Sequence, residues 1–254
     1  MANFVLGAGK VYFARRTSGV LAGEKLIAET PTLSYAVTSE RVQQYTSDGA
    51  IAELAVDVAT KVERSGKFTC RDIADFNLAL FTIASVATVT TASGAVTGSA
   101  INGGVALAAD TYYQLGLATH VHVGVRDITS VAIKTGGTTY VEGTNYTVDL
   151  TLGRIYIPAG SPCIGAICTA DYSTTVSSWG QVASSDDGAA EGALRFVSDN
   201  TIGEERDYYF PSVVLSPDGE MALKSREDTQ EIGFGFAIMK PTSGSAVYIN
   251  GRPV

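Results

Sequence analysis

Arg41-Val42-Gln43-Gln44-Tyr45-Thr46-Ser47-Asp48-Gly49-Ala50-Ile51-Ala52-Glu53-Leu54-Ala55-Val56-Asp57-Val58-Ala59-Thr60-Lys61-Val62-Glu63-Arg64 is the stretch on which the fold turns. Asp48-Gly49 is a turn signal, because both residues tolerate the positive φ of a tight reversal. Strand patterns flank it. Leu33 to Tyr45 reads as a strand with a break near Ser39. Ala50 to Phe68 alternates Ile51, Leu54, Val56, Val58 and Val62 with Glu53, Asp57, Lys61, Glu63 and Arg64. A period of two is the strand period, so the simplest reading is one long hairpin over roughly 38–69. It is more polar than a hairpin buried in a core. A monomer gains nothing by projecting it, whereas subunits joining such hairpins edge to edge close a barrel and remove the open edges.

Alternation continues outward from this hairpin. Val11-Tyr12-Phe13-Ala14 is a short strand-like run closed by Thr17-Ser18-Gly19. Arg71 to Ala84 changes period: Ile73, Phe76, Leu80 and Ile83 recur every three or four residues, with Asp72 and Asp75 early enough to suit the macrodipole. That predicts a flanking helix. Residues 85–104 are almost all Thr, Ser, Gly, Ala and Val. Short strands then follow at Tyr112–Leu117, His120–Val125, Val131–Lys134, Tyr146–Asp149, Arg154–Ile157 and Ile167–Tyr172, separated by glycine turns, the pattern of a small β-sandwich. After the loop Ser184-Ser185-Asp186-Asp187-Gly188, strands are expected at Ala193–Val197, Asp207–Leu215, Met221–Lys224, Ile232–Met239 and Ala246–Ile249, with Ser216-Pro217-Asp218-Gly219 as a hairpin turn. The expected fold is mainly β, a sandwich or barrel with one flanking helix, interrupted by a second small β-sandwich. Its parts are 1–87, the insertion 88–176, and 177–254. Charge follows the same division: residues 1–84 are net neutral, 85–175 carry −2 and 176–254 carry −6.

The 254 residues have a net charge of −8, 45% hydrophobic and 17% charged residues. That supplies a core and disfavours sequence-specific DNA binding, which needs a basic surface. Three cysteines cannot all pair and fit a reducing compartment. The start, Met1-Ala2-Asn3-Phe4-Val5-Leu6-Gly7, has neither a positive nor an apolar leader region, and Leu78 to Val89 is too short and polar to span a bilayer. A soluble, cytoplasmically made protein is expected.

Catalytic patterns are sparse. His120 and His122 share one strand face and could start a metal site, but only Asp127 lies near and a third ligand at a defined spacing is missing. The plainer reading is two histidines on an outer face. Cys70, Cys163 and Cys168 read as buried, inert thiols. Gly7-Ala8-Gly9-Lys10 ends like a phosphate loop, yet Phe4 stands where the first glycine belongs and Val11 replaces the Ser or Thr. Asp186-Asp187, Glu204-Glu205 and Glu227-Asp228 with Glu231 are carboxylate pairs of the sort glycoside hydrolysis uses, and equally of the sort found on solvated loops. No catalytic residue, cofactor or metal is assigned.

Four stretches together resemble the major tail tube protein of long-tailed, siphovirus-type bacteriophages. They are Val5-Leu6-Gly7-Ala8-Gly9-Lys10-Val11-Tyr12-Phe13, the hairpin-to-helix passage Arg41 to Phe81 with Lys67-Phe68-Thr69-Cys70-Arg71-Asp72-Ile73, the block Phe210 to Glu220, and Asp228 to Phe236. They cover about 1–84 and 190–254. Within the insertion, Tyr140 to Asp149 and Gly153-Arg154-Ile155-Tyr156-Ile157 resemble immunoglobulin-like or related sandwiches that phage structural proteins display on their exterior. The resemblance implies a virion structural protein made in the host cytoplasm. Its copies would form rings, hexamers by family expectation, stacked into a tube around a tape-measure protein and ended by tail terminator and distal tail proteins. Double-stranded DNA would pass through without specific binding, along an acidic wall that keeps the phosphates from sticking. Lumen-lining candidates are Asp48, Glu53, Asp57 and Glu63, if their strand faces inward. The alternatives are a virion decoration or adhesin-type β-protein binding a host surface ligand through loops of 105–175, and a carbohydrate-active hydrolase.

Overall fold

A computed structural model describes residues 4–117, 123–184 and 189–251. The chain is mainly β, with 56% strand and 5% helix. It forms two compact units, Met1–Ala87 with Val182–Val254, and Thr88–Gln181. In chain order the first unit begins with β1 (Gly9–Thr17), β2 (Val20–Leu21), β3 (Lys25–Ile27), β4 (Thr32–Tyr45), β5 (Leu54–Cys70) and α1 (Asp75–Phe81). β6 (Ala84–Thr91) leads into the second unit, which holds β7 (Gly94–Ala100), β8 (Thr111–Gln114), β9 (Ile128–Thr135), β10 (Thr138–Thr139), β11 (Thr147–Asp149), β12 (Arg154–Ile157) and β13 (Thr169–Thr174). The chain returns along β14 (Ser177–Ser184) to β15 (Ala190–Ser198), β16 (Arg206–Pro217), β17 (Ile232–Ile238) and β18 (Tyr248–Gly251). β6 and β14 pair as a two-stranded ribbon. The chain therefore enters and leaves the second unit side by side, and that unit ends at 181, past the 176 expected from composition.

In the first unit one antiparallel sheet runs β2-β1-β15-β16-β17-β5-β4, with β3 added to β1 and β18 to β16. Its core face follows from alternation. Val11 and Phe13 of β1, and Ile232, Phe234, Phe236 and Ile238 of β17, are buried, while the residues between them are less so. Gly233 is required by the packing: a Cβ there would lie 2.2 Å from the Asp218 carbonyl oxygen. Leu80 of α1 joins this core, and the Phe81 ring meets Phe234 edge-on with centroids 6.1 Å apart.

Three expectations are corrected here. The helix covers Asp75–Phe81 rather than 71–84: Ala74 is extended, the Asn77 amide donates to the Asp72 carbonyl at 2.8 Å and holds that turn outside the helix, and Ile83 adopts a positive φ of 51°. β4 is continuous through Ser39, since every residue from Thr32 to Glu40 has a ladder partner in sequence. Met221–Lys224 is not a strand and Ser216-Pro217-Asp218-Gly219 is not a hairpin turn. Residues 218–231 form one long connection, closed by the Gln230 amide donating to the carbonyls of Ala222 and Leu223, and β17 is the next strand.

The second unit is a small sandwich of a four-stranded sheet, β10-β9-β13-β7, and a three-stranded sheet, β11-β12-β8. Ile133, Ala170 and Tyr172 from one sheet share a core with Ile155 and Ile157 from the other. The Tyr146 hydroxyl is buried there and donates to the Val131 carbonyl at 3.0 Å. The strand order corrects the immunoglobulin-like expectation. Lettered A to G in chain order, the described strands give sheets A-G-C-D and E-F-B, whereas the immunoglobulin sandwich pairs A-B-E-D and C-F-G.

Candidate functional site

The hairpin of β4 and β5 is the part of the first unit whose own fold does not cover it. At its root the packing is close. Phe68 stacks on Phe234 with centroids 4.9 Å apart, and Phe236 lies over Gly66, where a Cβ would fall 2.2 Å from the Phe236 ring and 2.3 Å from the Ser34 carbonyl oxygen. Among the described residues only Ser65 to Cys70 of β5 has a second neighbour, β17. From there outward the ribbon has two strands, and nearly every residue is exposed on both faces. Among the described residues β4 pairs with β5 alone, so its outer edge is open along the whole strand; so is that of β5 from Leu54 to Arg64. Two-stranded ribbons are marginal in water.

Strand faces follow from the register. Leu33 opposite Phe68, and Tyr35 opposite Gly66, belong to the core-side face. Thr32 opposite Thr69, Ser34 opposite Lys67, Thr38 opposite Glu63 and Glu40 opposite Lys61 belong to the outer face. Arg41 then pairs with Ala59, leaving Thr60 as an unpaired bulge whose hydroxyl donates to the Glu40 carbonyl at 3.3 Å. A bulge shifts the strand's parity by one. Asp57 therefore lies on the core-side face, where Arg41 Nε donates to it at 2.8 Å, while Glu63 lies on the outer face, paired with Lys61. A second irregularity between Gln44 and Tyr45 precedes the tip, residues 46–53. Glu53 sits there, its backbone N–H donating to Thr46 Oγ1 at 3.0 Å, and Asp48 lies at the same tip.

The four lumen candidates thus do not share one wall: two are at the tip and two are on opposite faces. Even spacing from Asp57 to Glu63 implied one face, and the Thr60 bulge reverses it. On the outer face Glu40 and Glu63 flank Lys61, and nearer the root Lys67 pairs with Asp218 at 2.8 Å, so the strands carry acid and base in equal number; on the core-side face Arg41 and Arg64 exceed Asp57. The hydrogen bond from Arg41 lowers the Asp57 carboxyl below its usual range, and Glu63 raises the Lys61 ammonium above its own.

Other sequence candidates do not converge. His120, His122 and Asp186-Asp187 lie outside the described residues. Asp127 offers its backbone carbonyl to the Thr175 hydroxyl at 2.7 Å. The three cysteines are buried free thiols, and burial pushes Cys70 up to about 11. Gly9 opens a strand, not a helix, against a phosphate-loop role. Glu204 pairs with Arg206 at 2.8 Å and Glu231 with Arg71 at 3.0 Å, ordinary surface pairs. Among the described residues no group of three His, Cys, Asp or Glu could hold a metal ion, and no helix is long and apolar enough to cross a membrane.

These features define a two-unit antiparallel β protein with a projecting, open-edged hairpin. The chain belongs to the family described as "Protein of unknown function UCP028589", whose model matches residues 4–242 and so spans both units and the hairpin. No curated protein matches it.

Proposed function

We propose that this chain is a structural subunit that joins copies of itself through the β4–β5 hairpin into stacked rings, the tube of a phage-type tail. One observation carries the reading: a two-stranded ribbon whose β4 edge is open along all fourteen residues and whose β5 edge is open from Leu54 to Arg64, with apolar residues exposed on both faces. Free edges of this length are an aggregation hazard unless pairing uses them. Joining the β4 edge of one copy to the β5 edge of the next is heterologous, and such contacts close into a ring when the rotation allows. In that ring the core-side face turns toward the subunit body and the outer face toward the lumen. Glu40 and Glu63 then face the passing DNA with Lys61 between them, while Lys67 nearer the root is held by Asp218. Asp57 is withdrawn from the lumen by Arg41.

In this reading the work is done by assembly and passage, not by turnover. The site is the virion tail, and the axial partners are a tape-measure protein within the tube and terminator and distal tail proteins at its ends. The second unit, reached through the β6–β14 ribbon, stands on the tube exterior. Electron microscopy of the purified protein across a concentration series tests this. Hollow rings or stacked tubes are expected as concentration rises. Monomers at every concentration, with sedimentation to match, overturn it.

A further inference from the structure

At the start of β14, inside the second unit, buried donors stand without acceptors. Ser177 and Trp179 are two apart on this strand and share one of its faces. The chain ahead of β9 lies against them. Asp127 takes a positive φ of 52°, and its carbonyl accepts both the Thr175 N–H at 3.2 Å and the Thr175 hydroxyl at 2.7 Å. Beside that clasp the Arg126 guanidinium carbon lies 5.5 Å from the centre of the Trp179 ring. All of these residues belong to the second unit.

Arg126 Nε, Trp179 Nε1 and Ser177 Oγ are buried, and among the described residues no hydrogen-bond partner meets any of them. The two nitrogens can only donate, and the hydroxyl can donate as well. Nor does Arg126 have an acidic partner among the described residues. A buried donor left unpaired costs more than an ordinary hydrogen bond gains, so native proteins pair nearly all of them, with water or an ion where the chain supplies nothing. One orphan donor needs a water. Three around one indole, with a full positive charge among them, suit an acceptor that is itself negative. Arg126, Ser177 and Trp179 are each half-buried as whole residues, so the cluster lies just beneath the surface, within reach of a small solute.

We propose that Arg126, Ser177 and Trp179 form a binding site for a small oxyanion of the phosphate or sulfate class. The bound ion ties the start of β14 to the chain ahead of β9, and the second unit is more stable with it than without it. This site is independent of the tube reading. The net charge of −8 opposes any anion at long range, so affinity in the millimolar range is expected.

Trp179 is the only tryptophan, so the intrinsic fluorescence of the full-length protein reports the site directly. Inorganic phosphate is titrated at fixed pH, with sodium chloride holding the ionic strength constant. A saturable change in Trp179 emission is expected, with a thermal midpoint that rises over the same phosphate range. Arg126→Met keeps an unbranched chain over the indole, removes the charged donors and is expected to weaken phosphate binding at least about tenfold. Ser177→Ala removes one hydroxyl and is expected to weaken it about threefold. A response to phosphate that is flat or never saturates means that water fills the place, and it overturns the site. So does a phosphate response that Arg126→Met leaves at full strength or, where that variant does not fold, one that Ser177→Ala leaves at full strength.

Discussion

Ile133, Ile155 and Ile157 of the second unit are fully buried, whereas Val37, Val42, Val58 and Val62 of the hairpin are each about half exposed. Both segments are β-branched and alternating, so propensity does not separate them. Closure does. The second unit brings two sheets over one core; three of its four edge strands, β10, β11 and β8, have only two, three and four residues, and the fourth, β7, has seven and is broken by a bulge against β13. The hairpin has an edge of fourteen residues and no second layer beyond its root. One region satisfies itself; the other is complete only in contact with something else.

The largest expected effect comes from exchanging these roles. Replacing 39–62 with a two-residue Asn-Gly turn, which joins the paired Thr38 and Glu63, is expected to leave a folded monomer and abolish assembly, read by sedimentation velocity. Removing 88–181 and joining the ends with a short Gly-Ser linker is expected to preserve assembly. If the shortened hairpin still assembles, or the protein lacking the second unit does not, the division of labour is reversed.

Much of this contrast was legible in the sequence, and its failures have physical causes. The hairpin, its turn region, β12 and the start of the second unit stand out because alternation and glycine turns are local signals. The Thr60 bulge does not, because an extra residue in a ladder depends on the partner strand. That single residue separates Asp57 from Glu63 and undoes the one-wall expectation. Met221–Lys224 looked like a strand because it is short and mixed, yet no neighbour pairs with it. The nearness of Tyr35, Phe196 and Tyr208 was invisible because they line one depression only through the sheet order. A glycine inside the alternating β5, Gly66, was the one local hint that something packs closely there.

Gly66 marks the boundary between the covered and uncovered parts of the ribbon, which gives the next effect in size. Gly66→Val places a side chain where Phe236 and the Ser34 carbonyl already sit. A loss of about 2–4 kcal/mol is expected in chemical denaturation. The same change at Gly137, a turn of the second unit where a Cβ meets nothing, is expected to cost less than about 1 kcal/mol. Equal costs would mean that the root is not tightly packed.

A smaller effect sharpens the two faces of the hairpin. Glu40→Lys with Glu63→Lys leaves only lysines, four with Lys61 and Lys67, as charged strand residues of the outer face. In particles carrying it, rings are expected to form while DNA release slows by about tenfold at low salt and by less at high salt. Asp57→Lys, on the core-side face, is expected to leave release unchanged. Slowing by Asp57→Lys alone would turn the ribbon over and place the other face in the lumen.

The smallest effect contrasts one carboxylate in each region across pH. In the second unit the Lys134 ammonium and the Gly98 N–H, 2.7 Å away, hold Asp171 below the usual carboxylate range. In the hairpin Arg41 lowers Asp57 likewise. A carboxyl lowered in the folded state binds its proton more readily when unfolded, so it adds stability above the unfolded pKa and loses it as pH falls through the folded value. Asp171→Asn is therefore expected to lower the thermal midpoint of the second unit slightly at pH 7, and the gap to wild type should close as pH falls below the ordinary aspartate value of about 3.9. For Asp57→Asn no shift is expected in the monomer's global unfolding, because the ribbon beyond the root opens without the core. A midpoint that moves with Asp57 would mean that the hairpin unfolds with the core. The open-edged ribbon would then be a rigid spur of the first unit even before a partner arrives.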